Sequence, residues 1–139
     1  MVTISLVAIL VSLALPAMRD YLLNQRIKTA SFDLITTLTY ARSEAIKRNT
    51  DIDILAKSED WKNGWQVKAG VTVLRDHPAP KDLSFTAAET TVTYGKDGRL
   101  VAAVGNITID VSPSDPDVSP RCISIDLSGR PNSVKGACS

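Results

Sequence analysis

The first eighteen residues (MVTISLVAILVSLALPAM) carry no charge, and from Arg19 onward the pattern changes to an amphipathic stripe. Leu23, Ile27, Ala30, Leu34, Leu38, Ala41 and Ala45 recur in steps of three and four, broadened by Ile35, Tyr40 and Ile46. That spacing matches the 3.6-residue turn of an α-helix with one buried face. No turn signal separates the two patterns, so they predict one long helix with an apolar first part, residues 1–18, and an amphipathic continuation, residues 19–50. At about 1.5 Å per residue the uncharged part reaches roughly 27 Å, just short of a hydrocarbon core of about 30 Å. It is expected to be a transmembrane segment. The opposite face of the continuation holds Arg26, Lys28, Asp33, Arg42, Glu44, Lys47 and Arg48, expected to be solvated, with Glu44 and Arg48 at the favourable i,i+4 spacing. Pro16 lacks a backbone donor and is expected to kink the rod. Asn49-Thr50-Asp51 ends the helical pattern.

Beyond Asp51 the period drops to two. Ile52-Asp53-Ile54, Trp65 to Lys68 and Val71 to Leu74 alternate as strands, with Ala69-Gly70 as the turn between the last two. Further runs at Leu83–Phe85, Thr91–Tyr94, Arg99–Val104, Ile107–Val111 and Cys122–Leu127 are separated by Asp97-Gly98, Gly105-Asn106 and Ser128-Gly129. Ser112 to Pro120, with three prolines, is expected to be an edge loop. Residues 51–139 thus predict a small antiparallel β-domain of seven or eight strands. The whole is an α+β protein in which that domain packs on the outer half of the N-terminal helix.

Composition narrows the picture. The 139 residues leave room for one small domain beside the apolar segment, and a net charge of +1 gives no global pull toward nucleic acid. Cys122 and Cys138 lie close together in a polar, turn-rich tail, which favours a disulfide and an oxidising compartment. The single histidine, His77, precedes a proline in what reads as a polar surface loop, and Asp115 and Asp117 lack the remaining ligands of a calcium loop. Trp61, Gly64 and Trp65 read as core and hairpin residues. No phosphate loop, metal set, cofactor motif or partnered nucleophile is visible, so an enzyme is not expected.

The topology signals conflict. A cleaved signal peptide would need a basic leader, and Leu15-Pro16-Ala17 matches a cleavage site only loosely. The positive-inside rule would place Arg19, Arg26 and Lys28 in the cytoplasm, against the compartment implied by the cysteines. A basic leader and a few more apolar residues ahead of Met1 would remove both conflicts, and they are expected upstream.

Met1-Val-Thr-Ile-Ser-Leu-Val-Ala-Ile-Leu10, Pro16, Arg19-Asp20, Gln25-Arg26 and Ala41-Arg-Ser-Glu-Ala-Ile-Lys-Arg-Asn49 closely resemble the N-terminal helix of type IV pilin-like proteins of the GspH/FimT group. Gly64-Trp65-Gln-Val and Arg121-Cys-Ile-Ser-Ile-Asp-Leu-Ser-Gly-Arg130 look like later landmarks of that group, nearer the FimT and FimU minor pilins than the secretion pseudopilin. The resemblance implies a minor pilin or pseudopilin without a cofactor, anchored in the bacterial inner membrane with a periplasmic C-terminal domain. Its partners would be other major and minor pilins, met through the helix, and its role assembly or priming of a type IV pilus or a type II secretion pseudopilus. Met1 corresponds to a position inside the family's mature helix, so no processing or methylation site is carried over. An alternative is DNA capture: some FimT proteins carry a Gly-Arg-x-Arg motif, and Gly129-Arg130-Pro131-Asn132 keeps its first arginine, with Arg121 and Lys135 as candidate substitutes for the second.

Overall fold

The computed structural model describes residues 2–101, 103 and 105–139, with only the backbone at residues 11 and 13–17. One helix, α1, spans Val2–Arg48. It continues through Pro16, whose side chain lies outside the described set, so the expected kink has no side-chain description to support it. At its C-terminus Lys47 and Arg48 lie where the helix dipole favours cations. Asn49 then turns left-handed (φ 51°), and the Thr50 N–H closes back on the Ala45 carbonyl at 3.3 Å. That is a left-handed cap of the kind that satisfies carbonyls left open at a helix end.

Eight strands follow among the described residues. β1 (Ile52–Ala56), β2 (Trp65–Ala69), β3 (Thr72–His77) and β5 (Thr91–Tyr94) form one antiparallel sheet in the order β3-β2-β1-β5. β4 (Leu83–Ala87), β6 (Ile107–Pro113), β7 (Arg121–Ile125) and β8 (Pro131–Lys135) form the second, in the order β4-β6-β7-β8. The alternation read from the sequence is visible in β1 and β2, where Ile52, Ile54, Trp65 and Val67 point inward and are fully buried. All seven residues of the helix stripe from Leu23 to Ala45 are buried against strands of both sheets. At roughly 1.5–3 kcal/mol for each fully buried large aliphatic side chain, this shared core is the main adhesive between α1 and the domain.

Several expectations are corrected. β3 runs to His77 instead of ending at Leu74, which takes His77 out of a loop and into a strand. β6 extends through Pro113, so the loop expected from Ser112 starts two residues later; Pro113 is tolerated because it ends its strand, opposite Leu83. The strand expected at Arg99–Val104 contracts to a bridge between Leu100 and Tyr94. A tight turn closed by Gly95 N–H to Arg99 O (2.9 Å) precedes that bridge, and residues 102 and 104 lie outside the described set. β8 was not expected, because Pro-Asn-Ser-Val-Lys lacks an apolar alternation. Ile46 stays 53% exposed, and Glu44, placed on the solvated face, is buried.

Candidate functional site

The two parts of α1 differ in what covers them. Seven large apolar residues between Val2 and Met18 are each more than half exposed, and Tyr21 and Leu22 are also exposed. From Leu23 onward one face is sealed by the sheets. The described side chains of the first part therefore present a run of uncovered apolar surface, more than the scattered apolar exposure normal for a soluble surface. Among the described residues, no helix is long and apolar enough to cross a membrane.

Where the rod meets the domain, two polar contacts clasp α1 to the segment between β3 and β4. Arg26 pairs with Asp82. Asp33 Oδ2 lies 3.3 Å from His77 Nε2, and the His77 ring stacks on Trp65 with centroids 4.2 Å apart and planes 5° from parallel. Trp65 is itself tied to the helix, its Nε1 donating to Thr37 Oγ1 at 3.2 Å. Gly64 (φ 89°) allows this approach, since a Cβ there would collide with the His77 carbonyl. His77 thus positions the β3–β4 segment. The clasp leaves an open groove of about 440 Å³ between Leu22–Asp33 of α1 and Pro78–Lys81.

The far end of α1 is pinned differently. Glu44 takes Arg48 Nε at 2.5 Å and Lys47 Nζ at 3.6 Å, and the Arg48 hydrogen bond holds its carboxyl below the ordinary value against the opposing effect of burial. The sequence showed the Glu44–Arg48 pair, and the partial cover that neighbouring cations make tolerable was not legible in it. Arg42 Nε donates to the Gly98 carbonyl at 2.9 Å. Gly129 (φ 81°) packs directly on that same carbonyl, with the ring of the buried Tyr94 beside it. Burial pushes the Tyr94 phenol upward in pKa, so it stays neutral. Asp126 caps the turn, accepting from Ser128 Oγ at 2.5 Å and Arg130 N–H at 2.9 Å, which lowers its carboxyl from the ordinary value.

Cys122 and Cys138 form a disulfide with Cα atoms 4.9 Å apart, anchoring the tail to β7. Arg130 and Lys135 are exposed, while Arg121 is partly covered and donates to Ser133 Oγ at 3.2 Å. The three cations do not form one patch. Arg130 stands at the turn end of the β7–β8 hairpin and Arg121 and Lys135 at the other, about 17 Å away at roughly 3.4 Å per strand residue. Asp115 and Asp117 cap their own loop, Asp117 N–H donating to Asp115 Oδ1 at 3.1 Å. Among the described residues no three His, Cys, Asp or Glu side chains are disposed to hold a metal.

This architecture has relatives. Residues 30–129 match the family model described as type II transport protein GspH. A comparison with curated protein sequences returns no match. Among solved structures, the type IV minor pilin FimU of Pseudomonas aeruginosa is similar at 26% identity, with a TM-score of 0.69 over 78% of this chain and 87% of that one. In a second crystal form of FimU the values are 27% and 0.67, over 77% and 91%. The minor pseudopilin EpsH from the type 2 secretion system of Vibrio cholerae shares the fold at 11% identity and a TM-score of 0.61, over 79% of this chain and 97% of that one. The long helix clasped to two four-stranded sheets is the fold of these pilin-like proteins, and with the family model spanning well over half of its length the chain belongs to the GspH family.

Proposed function

We propose that this chain is a minor pilin that takes part in assembly or priming of a type IV pilus, with a type II secretion pseudopilus as the related setting. The observation that carries this reading is the division of α1: an uncharged first part whose described large side chains face solvent, continuous with a second part packed into a disulfide-bonded domain. Such a rod has apolar surface to bury only in lipid or against like helices. Before assembly it is held in the inner membrane, and after assembly it lies among the helices of neighbouring subunits with the β-domain outward. The disulfide fits the periplasm. The pilus is preferred to the secretion machine because FimU is similar in sequence as well as fold, whereas EpsH is similar in fold alone.

DNA capture is not adopted, because phosphate binding gains from cations acting together and the three candidates lie at opposite ends of a hairpin. The test is to delete the chain and measure surface fibres and secretion separately. Loss of fibres with secretion intact, and recovery of the tagged chain in sheared fibres, supports the pilus reading. Normal fibres with reduced secretion would move the chain to the secretion machine, and no change in either would refute the proposal.

A further inference from the structure

His77 is the single histidine of the chain, and it stands at the end of β3 opposite Trp65. Both of its ring nitrogens face oxygen acceptors. Nδ1 lies 2.8 Å from the Pro78 carbonyl and Nε2 lies 3.3 Å from Asp33 Oδ2, so one ring reaches the β3–β4 segment and α1 together. A neutral imidazole carries one N–H and one lone pair, whereas an imidazolium carries two N–H groups. Only the imidazolium satisfies both acceptors. In the neutral ring the proton belongs on Nδ1, because a lone pair there would meet the nearer oxygen. The Nε2 lone pair then faces the Asp33 carboxylate and is repelled by it. Loss of one proton therefore breaks the link to α1 and spares the one within the segment.

The surroundings suit a charged ring. It lies flat on Trp65, with centroids 4.2 Å apart and planes 5° from parallel, an arrangement in which an aromatic face attracts a cation. Asp33 approaches from α1 and, among the described residues, has no other ion pair. Asp76, next to His77 on β3, is matched by Lys57, whose Nζ lies 2.8 Å from it and 3.0 Å from the His77 carbonyl. β2 presents Trp65 and the Gln66 amide, neither of them charged. Across the groove Arg26 is matched by Asp82, and Lys81 is exposed. Asp33 is thus the charge left to answer the ring, and the His77 side chain, 23% exposed, keeps access to protons from solvent.

We infer that His77 is a proton-operated latch between α1 and the β3–β4 segment, closed when its ring is an imidazolium and released when the ring is neutral. Closed, it holds Pro78–Lys81 beside α1 and sets the width of the groove between them. Released, it leaves the segment tied to α1 by the Arg26–Asp82 pair, and the groove is free to widen. Histidine suits this task because its ring ordinarily changes charge between about pH 5 and 8, where carboxylates and ammonium groups do not. The unfolded chain offers no such pair of acceptors. Protonation therefore stabilises the folded latch, and that stabilisation is lost as the pH rises through the histidine interval.

The test uses the full-length chain in detergent, carrying no histidine tag, melted at about pH 8 and about pH 5.5, near the two ends of that interval. The melting temperature is expected to rise by roughly 2–4 °C toward acid. His77→Gln and Asp33→Asn should each remove the rise, whereas a His77 that served only as a packing group would cost the same at both pH values when replaced. The nitrogen NMR spectrum of the imidazole in the unaltered chain gives a second reading, unambiguous with a single histidine present. Two hydrogen-bonded N–H groups are expected at the acid end and one, on Nδ1, at the alkaline end. An equal rise in the unaltered chain and in either variant would overturn the inference, and so would a free Nε2–H at the acid end. If His77→Gln fails to fold, the ring spectrum decides alone.

Discussion

The two parts of α1 belong to one continuous helix, yet the domain covers only one of them. Leu38 is fully buried under the sheets, whereas Leu10, the same residue type twenty-eight positions earlier, is 65% exposed. The helix is identical in kind on both sides of Leu22, so the difference lies in tertiary contacts and not in local propensity. The described apolar side chains of the first part thus stay exposed while those of the second part's stripe are buried by the domain.

The sharpest probe of that contrast pairs the two leucines. Leu38→Ala should lower the stability of the domain by about 2–5 kcal/mol, whereas Leu10→Ala should leave it unchanged in the same chemical denaturation series. Comparable losses at both sites would break the comparison. The disulfide comes next. Cys122→Ser with Cys138→Ser should cost about 3 kcal/mol in the chain-entropy account of a loop of this size, read as a lower denaturation midpoint that reductant does not lower further. Gly129→Ala should cost about 2 kcal/mol, from its left-handed backbone together with contact on the Gly98 carbonyl, and so loosen the anchor that also receives Arg42. Thermal melts would register it.

The smallest effect is acid sensitivity. Glu44 beside Arg48, Asp76 beside Lys57 and Gln66, and Asp126 beside Ser128 and the Arg130 N–H all have carboxyls held below their ordinary values, 4.5 for Glu and 3.8 for Asp. Their contribution is present in full above those ordinary values and is lost as the pH falls through the lowered ones. The melting temperature should thus be flat with respect to these groups near neutral pH and decline below about 4. Glu44→Gln should shrink that decline. An unaltered acid profile in Glu44→Gln would show that its partners in the folded and unfolded chain are equivalent.

The helical stripe was legible because seven residues at regular spacing leave little choice of face, and β1 and β2 were legible because Ile52, Ile54, Trp65 and Val67 alternate cleanly. The remainder depended on long-range contacts. β8 has no apolar period and exists because β7 offers it a hydrogen-bonding edge. His77 reads as a loop residue until Trp65 and Asp33, distant in sequence, are placed beside it. Glu44 reads as solvated because periodicity reports which face a side chain occupies and not how far a neighbouring turn covers it. The candidate cations Arg130, Arg121 and Lys135 lie near one another in sequence, and the hairpin places Arg130 at its turn end, apart from Arg121 and Lys135 at the other.

The division of α1 is tested most directly by the fate of Leu10→Asp, measured as the amount of chain recovered in sheared surface fibres at matched cellular levels. The expected result is a domain with an unchanged melting temperature and an intact Cys122–Cys138 bridge, together with loss of the chain from the fibre fraction. Recovery of Leu10→Asp in fibres at the level of the unaltered chain would contradict the account, because the exposed part of α1 would then not be the surface through which the protein assembles.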